Sequence, residues 1–77
     1  MSRTAKPERA LANAIRKRRE ERGLTREDLA FQSGVTVGSL ARIELGQSAP
    51  AWGTVVQIAR ALEVPLEEIA REVEQSG

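Results

Sequence analysis

The chain offers little for bond-making chemistry and much for gripping anions. It contains no histidine and no cysteine. The commonest general base, the thiolate nucleophile and the preferred zinc ligands are therefore missing, and a metal site would have to use carboxylates alone. The serines and lysines lie outside any recognisable triad, and no glycine-rich phosphate loop follows a strand. No catalytic residue, cofactor or metal is expected. The distinctive side chains are twelve lysines and arginines, set against eleven acids. A guanidinium is always charged and presents a planar fork of donors, which suits both phosphate and the major-groove edge of guanine. These charges are unevenly spread. Residues 1–22 hold eight basic side chains (Arg3, Lys6, Arg9, Arg16, Lys17, Arg18, Arg19, Arg22) against three acidic ones (Glu8, Glu20, Glu21), a local charge of +5. The remainder holds four basic and eight acidic residues, a local charge of −4. A body polarised in this way orients against a polyanion, although a basic run on a helix reads equally well as a solvated face.

Positioning such groups requires rigid elements, and the sequence marks five. Residues 1–8 lack apolar periodicity and read as a basic arm. Helix 1 is expected over 9–22, with Leu11 and Ile15 inward and Gly23 ending it. Thr25 and Asp28 form a capping box for a second helix, Arg26–Ser33, with Leu29 and Ala30 on its apolar side. Gly34 suits the left-handed conformation that ends a helix and turns the chain. Thr36 can cap a third helix over 37–45, in which Leu40 and Ile43 mark a buried stripe. Gly46 ends it, and a loop follows through Gln47, Ser48 and Pro50. Helix 4, Trp52–Leu62, places Trp52, Val55, Val56, Ala59 and Leu62 on one side, with Trp52 expected to fill the core. Pro65 opens helix 5, whose stripe is Leu66, Ile69, Ala70 and Val73, with Glu67 and Glu68 in the first turn. Seventy-seven residues allow one domain, read here as 9–74 followed by a short tail at 75–77. No strand, repeat, signal peptide or membrane-spanning run is visible. The expected fold is all-α: five helices around one core, with a helix-turn-helix at helices 2 and 3. Such a unit holds one helix out from a small body, the geometry that enters the DNA major groove.

The order Leu29, Ala30, Gly34, Val35, Leu40, Arg42, Ile43, Glu44, Gly46 resembles the helix-turn-helix of the phage Cro and lambda-repressor family. The resemblance continues upstream through Arg19, Gly23 and Leu24, and downstream through Pro50, Ala59, Leu62, Val64, Leu66 and Ile69. It spans roughly residues 10–73. It implies a sequence-specific DNA-binding transcriptional regulator, a repressor acting as a homodimer on a near-palindromic operator in the cytoplasm, at the nucleoid. The family's base-contacting positions fall on Val37, Gly38, Ser39 and Arg42. Among these, only Arg42 can make a bidentate contact with guanine, and its competing role is a surface salt bridge. Val37 can touch a thymine methyl, Gly38 lets the backbone approach, and Ser39 can bind a phosphate or a base edge. Thr36 belongs with this group. Relatives with glutamine or arginine at the first two positions read more bases directly, so part of the selectivity here is expected from DNA shape.

The resemblance places Arg26 where relatives use glutamine to touch the DNA backbone, and Gln47 and Ser48 on a loop that touches it across the groove. Either loop residue could equally be an ordinary one; the competing reading of Arg26 is an exposed charge. Arg3 and Lys6 could reach along the duplex from the arm. In the family, an arginine late in helix 1 pairs with a glutamate near the end of helix 3. Here that pair is Arg19 and Glu44, a structural link unless the two are separate solvated charges. Relatives pair their subunits near helices 4 and 5, and the apolar edge at Val64, Pro65, Leu66 and Ile69 is the expected pairing surface. Phe31 interrupts the helix 2 pattern. It marks a protein-partner site, or is one of the single exposed apolar residues that are normal on a surface, or packs on helix 1 or the arm. The alternative function is a protein-interaction module, such as an antitoxin that binds a toxin and regulates its own operon, although little chain follows helix 5 to wrap one.

Overall fold

Proline fixes φ near the helical value and lacks the N–H that a helix start leaves unpaired. The computed structural model, which describes residues 6–75, accordingly begins its first helix at Pro7. Five helices follow in order: α1 (Pro7–Glu21), α2 (Arg26–Ser33), α3 (Val37–Glu44), α4 (Trp52–Leu62) and α5 (Leu66–Gln75). No strand is present among the described residues. Pro7 and Glu8 thus belong to α1 rather than to an arm. Arg3 lies outside the described residues, so its expected role stays open.

The core joins every helix. Ile15 of α1, Leu29 of α2, Leu40 and Ile43 of α3, Ile58 and Leu62 of α4, and Ile69 of α5 are all essentially inaccessible. Each such side chain contributes roughly 1.5–3 kcal/mol when fully buried. α1 lies against α5 and α3, while α2 packs on α4 and α3. Ala10, Ala12 and Ala14 are buried with Ile15, and their small side chains let the neighbouring helices approach α1 closely. α5 adds only Ile69 to the fully buried set. It is also tied down by charge: Arg18 pairs with Glu72 and, at 3.6 Å, with Glu68.

Two expectations about the core are corrected. Trp52 does not fill it; the residue is 66% exposed. The buried side of α4 runs through Val55, Ile58, Ala59 and Leu62, and Trp52, the first residue of the helix, falls at the edge of that stripe. There it borders an open apolar groove with Pro7, Leu11, Leu66 and Val73. Ile69, expected on a pairing surface, is 1% exposed and belongs to the interior. Val64 packs partly against the same core and is half-buried, as is Leu66, which leaves Pro65 as the exposed member of that edge.

Candidate nucleic-acid interface

The turn between α2 and α3 is built from local chemistry. Thr25 Oγ1 accepts from the Asp28 N–H at 3.0 Å, and the Thr25 N–H donates to Asp28 Oδ2 at 3.0 Å. This reciprocal box fixes where α2 starts. It also holds the Asp28 carboxyl below its ordinary value, the Thr25 backbone N–H contributing more than the hydroxyl. The box satisfies the N–H groups of Thr25 and Asp28, and those of Arg26 and Glu27 have no partner among the described residues. At the other end Gly34 takes φ 77°, the left-handed conformation that costs other residues roughly 1–2 kcal/mol. Its N–H closes on the Ala30 carbonyl at 2.9 Å. Two residues later Thr36 Oγ1 accepts from the Ser39 N–H at 3.1 Å and starts α3. The Thr36 oxygen is thus committed to the cap, while its O–H remains free to donate.

α3 divides cleanly into two sides. Leu40, Ile43 and Glu44 are buried. Val37, Gly38 and Arg42 are exposed, and Ser39 is half-buried. A Cβ added at Gly38 would meet nothing within 4 Å, so that stretch of helix presents bare backbone to open space. Arg42 enters no side-chain hydrogen bond or ion pair among the described residues. The competing surface salt bridge is therefore not made there. The four positions expected to meet bases share one accessible side of one short helix.

What holds that helix in place is a buried carboxylate. Glu44 is 1% exposed. Arg19 donates to it twice, from Nε to Oε2 at 2.8 Å and from Nη2 to Oε1 at 3.0 Å, and also caps the Leu24 carbonyl at 2.9 Å. The Glu44 hydrogen bond raises the Arg19 pKa further above its ordinary value against the opposing effect of burial. The expected Arg19–Glu44 link is present in this geometry, and the reading as two solvated charges does not fit it. A third donor was not anticipated: Arg26 Nε reaches Glu44 Oε1 at 3.0 Å. No local spacing in the sequence announces a contact between residues 26 and 44.

Gln47 is exposed and Ser48 half-buried, just after α3. They line an open hollow with Lys6 and Arg9. Arg9, which the sequence marks only as part of the basic run, joins them. Its backbone lies within 3.7 Å of where a Gly46 side chain would stand, with Gly46 at φ 73°. The site therefore gathers Arg26, Thr36, Val37, Gly38, Ser39 and Arg42 on α2 and α3, with Gln47, Ser48, Lys6 and Arg9 beside the end of α3. Phe31, on α2, is 90% exposed, which excludes its packing on helix 1. Among the described residues no group of acidic side chains is arranged to hold a metal, and no helix is long and apolar enough to cross a membrane.

The fold and the site define a DNA-binding domain of the helix-turn-helix class. The chain belongs to the helix-turn-helix family HTH_3, which matches residues 15–69. It is 43% identical over 54 residues to the HTH-type transcriptional repressor RghR of Bacillus subtilis, a stretch that is 69% of this chain and 40% of the relative. The chain thus spans well under half the length of that relative. Its structure is similar to the clp gene regulator ClgR of Corynebacterium glutamicum, at 26% identity and TM-score 0.88, over 94% of this chain and 77% of that one. It is also similar to the restriction-modification controller protein C.AhdI of Aeromonas hydrophila, at 27% identity and TM-score 0.78, over 80% of this chain and 94% of the other.

Proposed function

We propose that the protein is a DNA-binding transcriptional regulator that represses by occupying a near-palindromic operator as a homodimer. The observation that carries this reading is the free outer side of α3. Val37, Gly38, Ser39 and Arg42 face away from a helix whose inner side is fastened by Leu40, Ile43 and the buried Glu44. α3 enters the major groove, and Arg42 supplies the bidentate contact to guanine. Arg26, Gln47 and Ser48 hold the flanking phosphates and set register without reading sequence. The similarity to RghR, whose name is that of an HTH-type transcriptional repressor, supports the sign of regulation.

One domain of this size covers too little DNA for tight specific binding. Pairing places two recognition helices about 34 Å apart in successive major grooves. The pairing edge is the α4–α5 side, where Trp52 and Leu66 border the apolar groove. Repression follows from excluding polymerase. Selection from a randomised duplex pool tests the reading. Wild-type protein should enrich a two-fold symmetric site, and Arg42→Ala should lose that enrichment. An unstructured pool, or tight binding unaffected by Arg42→Ala and Arg26→Ala, would defeat it.

Phe31 favours a second reading. Its 90% exposure on α2 suits contact with another protein. An antitoxin-like role predicts a stoichiometric protein partner that Phe31→Ser releases while duplex binding survives.

A further inference from the structure

Glu44 is shared by two arginines although one would neutralise it. Arg19 is 11% exposed at its side chain and takes both carboxylate oxygens. Arg26 is 35% exposed and touches Oε1 through Nε alone. The three side chains together carry one net positive charge, and the accessible share of it sits on Arg26. The two Nη groups of Arg26 have no partner among the described residues, and neither is a buried unsatisfied atom. Both therefore reach solvent, on a guanidinium whose plane is held from behind by a carboxylate that cannot itself move into water.

We propose that Glu44 is a positioning residue for DNA: by gripping Arg26 at Nε, it aims the free Nη pair at a backbone phosphate and links that contact to the placement of α3. The proposal rests on the DNA-binding reading above and adds the part played by a residue that never meets the duplex. The chemistry requires an arginine. A guanidinium can spend Nε on Glu44 and keep two parallel donors for phosphate oxygens. A lysine's three donors share one nitrogen, so its ammonium cannot span the buried carboxylate and the phosphate as the separated nitrogens of a guanidinium do. Because Glu44 also ends α3, a shift of the recognition helix moves the phosphate donor with it. Groove insertion and backbone grip are thereby made at once.

Glu44→Gln also strips Arg19 of its counter-ion and endangers the fold, so the test turns on Arg26. Binding to a 30-base-pair duplex of arbitrary sequence is measured from about 50 to 200 mM salt for wild type, Arg26→Ala and Arg26→Lys, with a thermal melt of each. One phosphate contact contributes about 0.9 to the slope of log K against log salt, or roughly a threefold change in affinity across that range. The expectation is that Ala and Lys both lose about one unit of slope, while Arg26→Lys melts within a few degrees of wild type. A lysine variant that keeps the wild-type slope and affinity overturns the proposal, because charge alone would then suffice. An alanine variant with an unchanged slope also overturns it, while leaving DNA binding by the domain intact. A wild-type protein with no salt-dependent duplex binding removes the DNA-binding reading itself.

Discussion

Replacing Glu44 by alanine is the sharpest test of how the recognition helix is held. The residue is 1% exposed and accepts three hydrogen bonds from Arg19 and Arg26. Its removal leaves the Arg19 guanidinium in a site 11% accessible, with the Leu24 carbonyl as its main remaining acceptor. Breaking one partner of a buried pair costs roughly 3–5 kcal/mol, because the surviving charge cannot be resolvated. A domain of this length has about 4–12 kcal/mol to lose. At about 4 °C or more per kcal/mol for a small domain, the melting temperature should fall by at least about 12 °C. Arg26→Ala removes only the more exposed arm and should cost about 1 kcal/mol or less. The double replacement Arg19→Met with Glu44→Leu removes both charges and should recover most of the loss. Circular dichroism melts and urea titrations of the four proteins supply the comparison. If Glu44→Ala costs no more than Arg26→Ala, the carboxylate is not the anchor described above.

Three further outcomes follow from particular residues. Glu63 ends α4 at φ 58° without being glycine, and its ion pair with Arg22 at 3.5 Å is exposed; Glu63→Gly should raise stability by roughly 0.5–1 kcal/mol, read as a higher melting temperature. Gly38→Ala meets no steric obstacle and should stabilise α3 by up to about 1 kcal/mol, yet weaken binding to a selected operator several-fold, because the added methyl holds the backbone off the bases. Asp28 has its pKa lowered by Thr25, so its contribution is fully present above the unfolded-state value and is lost as pH falls through the lower folded value; Asp28→Asn should flatten that acid limb in melts taken across pH 2–5.

Much of the fold was legible because its signals are local. Thr25, Asp28, Gly34 and Thr36 each act within three or four residues, and the capping box, the positive φ and the second cap stand where the sequence puts them. The inward stripe of α3 was legible for the same reason. Errors arise where a position lies at the margin of a stripe or depends on a distant partner. Trp52 has the apolarity of a core residue, but as the first residue of α4 it stands at the edge of the buried stripe and is 66% exposed. Ile58, omitted from the expected stripe, belongs to it and is inaccessible. Ala12 is buried because other helices close over α1, which no property of alanine announces. The same holds for the site. Arg19 with Glu44 was accessible through family resemblance, whereas Arg26 with Glu44, and Arg9 beside Gly46, are products of the packing of α1, α2 and α3.

The claim at the centre of this account is that Arg42 grips guanine from the major groove. Methylation of guanine N7 blocks that edge alone. Interference mapping on the selected operator should show, for the wild type, one guanine in each half-site whose methylation strongly blocks binding, and loss of that signal in Arg42→Ala. Binding that is indifferent both to N7 methylation and to the loss of Arg42 would contradict it.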